Sequence, residues 1–355
     1  MKNRIVPLFR KNIMQLTMLA MMAGAAQAQP IKLPSYQADL SQTSVSGLSS
    51  GAFMAAQFQV AYSSIMIGAG IIAGGPFYCA GSFPLAPFVI TASTICMNPL
   101  PGLAPDASSL LKAARIFAQA GLIDDTAHLK KQKIYLFSGK NDHTVTTPVV
   151  SQAAAFYKLA GLPAKNINYV TNVNAGHAIT TNNNNDVACD VTAPPYINDC
   201  DFTQSQVILS HIYGSMIAPA TALSGKIVEF DQNEFETSPN SSMSDVAYAY
   251  IPKSCDSQTC KMHVVFHGCH QGANTIGNRF YSTTGYNEMA DTNNIIVLYP
   301  QVQASNMVPY NPKGCWDFWG YSSPNQFAPN FYSKQAPQMA AVRAMLDRLS
   351  QPRQQ

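Results

Sequence analysis

Charge is scarce in this chain. Asp, Glu, Lys and Arg make up 12% of its 355 residues, about half the roughly 25% of an ordinary soluble domain. Polarity is carried instead by Asn, Gln, Ser and Thr. The formal net charge is +3, and in the mature chain the densest basic cluster is the pair Lys130-Lys131. That excludes the basic stripe of a nucleic-acid partner. Beyond residue 28 no apolar run approaches the roughly 20 residues that span a bilayer, so no membrane anchor is expected. There is no internal repeat, no Ser/Thr- or Pro-rich linker and no recognisable carbohydrate- or polymer-binding module. The cysteines form no C-x-x-C pair, which argues against the usual zinc frameworks. The H-x-x-H pair of His267 and His270 lacks carboxylates at helical spacing. Neither metal nor organic cofactor is expected, and the chain is expected to be a monomer.

The first 28 residues read as a leader. Lys2, Arg4, Arg10 and Lys11 make a positive start, and Ile13 to Ala26 is apolar except for Gln15 and Thr17. Ala26-Gln27-Ala28 is a small-residue cleavage site. A transmembrane anchor is the competing reading, but the run is too short. Residues 29–355 are then one secreted domain, extracellular or periplasmic.

Eight cysteines behind a leader imply disulfides in an oxidising compartment. Chain proximity favours Cys79–Cys96, Cys189–Cys200 and Cys255–Cys260, which leaves Cys269–Cys315 as a long-range bridge.

Short apolar runs predict strands at 43–48, 67–73, 133–137, 167–171, 226–230, 246–251, 263–266 and 295–299. Helical patterning covers 52–62, 204–213 and 337–349. Segments 101–110 and 232–244 are the loosest. Eight strands alternating with helices predict an α/β fold whose sheet is mostly parallel.

Gly47-Leu48-Ser49-Ser50-Gly51 fits G-x-S-x-G between a strand and a helix. A serine on such a turn projects its Oγ above the sheet, and flanking glycines relieve close backbone contacts. The N–H of the following residue, Ser50, points at a developing oxyanion. A nucleophilic serine needs a base, and the base needs an orienting acid. Asp142 follows the third strand and His177 follows the fourth, in the order Ser, Asp, His of α/β-hydrolases. The His-Gly pair that usually supplies a second oxyanion donor lies at His267-Gly268, far beyond Ser49 instead of before it. Only residues 29–48 precede Ser49 in the mature chain, which leaves room for one strand. The missing strands stand at the back, and residues 337–349 can serve as the helix leading into the nucleophile strand. A circular permutation accounts for this order, and close termini tolerate it.

Several segments together carry a resemblance: Ser46-Gly47-Leu48-Ser49-Ser50-Gly51-Ala52-Phe53-Met54, Gly139-Lys140-Asn141-Asp142, Gly176-His177, His267-Gly268-Cys269-His270-Gln271 and Asn311-Pro312-Lys313-Gly314-Cys315-Trp316-Asp317. They resemble the secreted poly(3-hydroxybutyrate) depolymerases, most of all the single-domain, circularly permuted kind. The resemblance implies Ser49 as nucleophile, His177 as base and Asp142 as orienting acid. It also implies the N–H groups of Ser50 and Cys269 as oxyanion hole, and a Cys269–Cys315 bridge that sets Trp316 beside the crevice as an apolar wall. An ordinary core tryptophan is the plainer reading of Trp316, and Trp319 reads as core. The expected reaction is hydrolysis of hydroxybutyrate polyester or oligoester bonds. The His-Gly-Cys and Gly-Cys-Trp motifs are also similar to those of some secreted feruloyl and acetylxylan esterases. A non-catalytic binding protein of the same fold is the reading from another class.

Overall fold

The computed structural model describes Met1 and residues 31–353. The leader reading falls outside the described residues. The strands are β1 (Thr43–Leu48), β2 (Met66–Ile72), β3 (Lys133–Phe137), β4 (Ile167–Val170), β5 (Ile179–Thr181), β6 (Val187–Ala188), β7 (Ile197–Asp199), β8 (Lys226–Asp231), β9 (Val246–Ile251), β10 (Lys261–Phe266) and β11 (Ile295–Tyr299). Eight of them build one sheet in the order β4-β3-β2-β1-β10-β11-β9-β8. These are the eight runs expected from patterning, with ends differing by one or two residues. From β4 to β11 every pairing is parallel, while β9 runs antiparallel to both β11 and β8. The fold is therefore mixed α/β with a large, mostly parallel sheet.

The helices are α1 (Ser50–Ala61), α2 (Phe88–Ser93), α3 (Ala107–Gln119), α4 (Thr147–Leu159), α5 (Gln204–Tyr213), α6 (Ala273–Ile276), α7 (Arg279–Thr283), α8 (Tyr286–Asn293) and α9 (Pro337–Ser350). Every residue of α1 is buried. It carries apolar residues on every side, with Gln57 and Gln59 hydrogen-bonded among them, because it lies between the sheet and a second shell of structure. Tyr157 of α4 donates to Gln59 Oε1 of α1 at 2.8 Å, and Arg343 of α9 lies over the Tyr62 ring. The opposite face is covered by α5 and α8. Gly68 and Gly70 of β2 let Ile212 and Ile208 of α5 approach: a Cβ at Gly70 would stand 2.8 Å from Ile208.

Central β1 is not purely apolar. Ser44 and Ser46 face one side, and their hydroxyls bracket the buried His263 ring of β10 at 2.6 and 2.8 Å. Tyr213 and Tyr286 hydroxyls complete the network at 2.8 and 2.6 Å. Buried polar groups are tolerated when each finds partners. Burial pushes the His263 pKa down to about 3.

The fold departs from expectation at several points. Segment 101–110 looks loose in the sequence, yet α3 begins inside it. Asp106 caps that helix by accepting the Ser109 N–H at 2.8 Å, the usual role of an N-cap carboxylate. A small parallel sheet, β5-β7-β6, also lies between β4 and α5. Its strands are two or three residues long, too short for a periodic signal.

The segment before β1 meets the end of α9. Tyr36 and Ala38 N–H groups both donate to Leu349 C=O at 3.0 Å, and Gln37 N–H donates to Gln351 C=O at 2.9 Å. The closing helix α9 is thereby tied to the segment that enters β1. Among the described residues no helix is long and apolar enough to cross a membrane.

Candidate active site

Ser49 stands between β1 and α1 with φ 58° and ψ −124°, a conformation that costs a non-glycine residue on the order of 1–3 kcal/mol. The surroundings enforce it. A Cβ on Gly47 would lie 2.3 Å from Gly51 C=O, and one on Gly51 would lie 2.3 Å from Phe266 C=O. Only glycines let the turn close against the end of β10. The Ser49 N–H donates to Ile72 C=O at 3.0 Å, which anchors the turn to β2.

Asp142 and His177 come from neighbouring loops beyond β3 and β4. The loops are stitched together: Lys140 N–H donates to Val173 C=O and Asn141 N–H to Ala175 C=O, at 2.9 and 3.0 Å. Gly139 permits this contact, since its Cβ would stand 2.2 Å from Ala175 C=O. His177 Nδ1 lies 2.8 Å from Asp142 Oδ2. The other carboxylate oxygen accepts the N–H groups of Thr144 and Val145, both at 2.9 Å. The carboxylate is thus fixed from two sides, and it fixes the imidazole with Nδ1–H donating and Nε2 free to accept. Thr192 Oγ1 accepts the His177 N–H at 2.9 Å. Ser49 and His177 line one cavity of about 380 Å³. Their side chains make no hydrogen bond to each other here; such bonds often tighten only around substrate.

Ser50 opens α1, so its N–H has no intrahelical partner. The Cys269 N–H, on the adjoining loop, also donates to no group among the described residues. The loop holding Cys269 is braced. His267 Nδ1–H donates to Gly268 C=O at 2.7 Å and Nε2 accepts the Val302 N–H at 3.2 Å. Gln271 Oε1 accepts the Gly268 N–H at 2.7 Å, and Gln271 Nε2 donates to Pro195 C=O at 2.8 Å. Burial lowers the His267 pKa to about 4. With both ring nitrogens committed to backbone, His267 has none left for a metal. Among the described residues no three His, Cys, Asp or Glu side chains converge as a metal set.

Disulfides join Cys79–Cys96, Cys189–Cys200, Cys255–Cys260 and Cys269–Cys315. The last staples the Cys269 loop to the segment before Trp316. Ser50 Oγ sits at this junction, 3.3 Å from Cys269 Sγ and 3.2 Å from the Trp316 N–H that donates to it.

Comparison with known proteins gives this site a family. No family model matches the chain. It is 41% identical over 343 residues to a poly(3-hydroxybutyrate) depolymerase of Delftia acidovorans, covering 92% of this chain and 65% of that protein's length. It is 37% identical over 318 residues to a polyhydroxybutyrate depolymerase of Talaromyces funiculosus, covering 85% of this chain and 89% of the relative. The chain belongs to the polyhydroxybutyrate depolymerase family. Solved depolymerase structures agree. A serine-to-alanine variant of a PHB depolymerase complexed with an R3HB trimer superposes with TM-score 0.80 at 33% identity, over 90% of this chain and 98% of that one. The crystal structure of the Penicillium funiculosum PHB depolymerase gives a TM-score of 0.78.

Within this depolymerase-family chain the tryptophans exchange their expected places. Trp316, expected as the crevice wall, is wholly buried. Its ring packs edge-on against Phe266 at 4.9 Å and tilted on His267 at 5.7 Å. Trp319, read as core, is partly exposed and lines the cavity above Ser49. Asp317 causes the reversal. One of its oxygens accepts the N–H groups of Trp319, Gly320 and Tyr321, and the other accepts the N–H and Oγ–H of Ser322. The chain curls around this buried carboxylate, turning residue 316 inward and residue 319 outward. Patterning also missed the α2 segment, whose Val89 and Ala92 form the facing wall. A second, larger cavity of about 1190 Å³ opens beside the first and shares Val89, Lys313, Cys315 and Trp319 with it.

Proposed function

We propose that this chain hydrolyses ester bonds of poly(3-hydroxybutyrate) or of 3-hydroxyalkanoate oligomers through an acyl-enzyme. The observation that carries this is Ser49 on a strained turn, in one cavity with a His177 oriented by Asp142 at 2.8 Å. His177 Nε2 takes the proton of Ser49 Oγ as the oxygen attacks the ester carbonyl carbon. The N–H groups of Ser50 and Cys269 stabilise the tetrahedral oxyanion, and removal of one such donor typically costs about 10²–10³ in kcat. His177 then gives its proton to the departing alkoxide, and water releases the acid from Ser49. The alternation of Ser49, His177 and the two donors needs no metal or organic cofactor.

The substrate reading rests on the family and on the walls. Trp319, Val89 and Phe318 make the cavity apolar, suited to the methyl group of each hydroxybutyrate unit. Around the second cavity, Leu85, Val89, Tyr310 and Phe327 are exposed, an apolar rim of the kind that marks an interaction surface. The depolymerase reading includes a leader removed near Ala28, secretion in line with the disulfides, and one permuted catalytic domain over 29–355. The neighbouring reading is an esterase of feruloyl or acetylxylan groups. The test measures turnover of hydroxybutyrate oligomers against methyl ferulate, with clearing of a polymer suspension beside them. A fluorophosphonate probe should label the wild type and spare Ser49→Ala, which should fold normally and lose nearly all turnover. Retained turnover in that variant, or a preference for methyl ferulate, overturns the reading.

A further inference from the structure

The two cavities beside Ser49 share one fixed charge. Neither is lined by Asp or Glu, and the one lysine or arginine lining either is Lys313, which lines both. Among the described residues no carboxylate lies within ion-pair distance of it.

The turn that carries Lys313 is firmly built. Lys313 C=O accepts the His270 N–H at 2.8 Å, and Gly314 N–H donates to Asn311 C=O at 3.1 Å. The buried Asn311 also accepts the Cys315 N–H at 2.9 Å, and Cys315 is bridged to Cys269. Lys313 is therefore held in register with the oxyanion loop. Its charge reaches the crevice: burial first, and then the Lys313 ammonium, hold His270 below its ordinary pKa. Both causes favour the neutral form of His270, which leaves Lys313 as the standing cation.

A 3-hydroxyalkanoate polyester is neutral along its length. Its one anion is the carboxylate at the acid end. An unpaired cation in an otherwise uncharged groove has nothing else on such a chain to attract. We propose that Lys313 reads the free carboxylate end of soluble oligomers and sets the register in which they cross Ser49. This rests on the ester reaction proposed above and adds a direction to it. The ester oxygen at the scissile bond belongs to the unit nearer the acid end. When Ser49 Oγ bonds to the carbonyl carbon and the C–O ester bond breaks, the departing alcohol takes its proton from His177. That alcohol carries the carboxylate, so Lys313 holds the leaving fragment while the hydroxyl-end fragment stays on Ser49.

The test compares hydroxybutyrate trimer as free acid with trimer methyl ester, which differ only in that charge. The ratio of their kcat/KM values is measured for wild type, Lys313→Gln and Lys313→Arg. Exposed charge pairs are modest in strength and screened by salt. The acid-to-ester ratio should therefore fall about fivefold in Lys313→Gln, through KM, and be kept by Lys313→Arg. In the wild type it should fall as salt rises from 20 mM to 500 mM, roughly as screening requires. An unchanged ratio in Lys313→Gln, or a wild-type ratio insensitive to salt, overturns the role of Lys313 while leaving the ester reaction standing. Wild-type protein that cleaves neither trimer overturns the ester reaction itself, and this role with it.

Discussion

Two buried histidines show how single residues tie this site to solution pH. Burial pushes the pKa of His263 to about 3 and of His267 to about 4, against an ordinary value near 6.5. An unfolded chain protonates both as pH falls through about 6.5, whereas the folded chain resists until pH 3 to 4. The unfolded state therefore binds more protons in that window, so stability rises with pH across it. The urea midpoint is expected to be flat above about pH 7.5 for these groups and to fall from pH 6.5 to 4. Near pH 5, up to about two protons are taken up on unfolding. His263→Asn and His267→Gln should each flatten the slope. A slope that both variants leave intact would show that other groups carry it. His267 was visible in the sequence only as part of His267-Gly268-Cys269-His270-Gln271. Its brace on the Gly268 carbonyl depends on a ring orientation that no spacing encodes. Ser49, Asp142 and His177 were legible because each follows a clear strand. Trp316 and Trp319 were exchanged because a three-residue separation fixes sidedness only in a regular element, and Asp317 holds this stretch in none.

At the scale of elements, the eight main strands were readable as apolar runs with marked ends, and their parallel pairing followed from the intervening helices. The strands β5 to β7 were not, because residues 179–199 are rich in Asn, Asp and Thr and are organised by Asn198, whose Nδ2 donates to three carbonyls. The Cys189–Cys200 bridge spans the same stretch. Cross-links of different reach also predict different costs. Cys255–Cys260 closes a separation of 5 residues and Cys269–Cys315 one of 46. Loop-closure entropy puts the first near 2 kcal/mol and the second near 4 kcal/mol. Chemical denaturation of Cys255→Ser/Cys260→Ser and Cys269→Ser/Cys315→Ser proteins should return that order. The second protein should also lose kcat, because the Cys269 N–H is no longer held against Ser50. Equal kcat in the two proteins would mean that the loop is positioned by His267 and Gln271 without the staple.

At the scale of the molecule, the meeting of the chain ends makes the permuted reading testable. The hydrogen bonds of residues 36–38 to 349–351 place these two segments side by side, where a short linker can join them. New ends opened in the exposed stretch 214–225, between α5 and β8, would restore the strand order β8, β9, β10, β11, β1, β2, β3, β4 along the chain. Such a protein should fold, bind a fluorophosphonate at Ser49 and keep oligomer turnover within about tenfold, since such surface sites tolerate new ends. Loss of folding would show that the present end-to-end clasp does more than join neighbours.

The placement of β1 has a consequence in time. One flank of β1 pairs with β2, which follows closely in sequence, but the other pairs with β10, and 219 residues separate Ser50 from Cys269. A chain emerging N-terminus first exposes Ser49 early and the Cys269 loop late. On the proposed mechanism, the serine therefore waits for its second donor until the later half of the chain has been made. On that mechanism the order of synthesis itself acts as a safety catch, because the site is incomplete until most of the chain has been delivered.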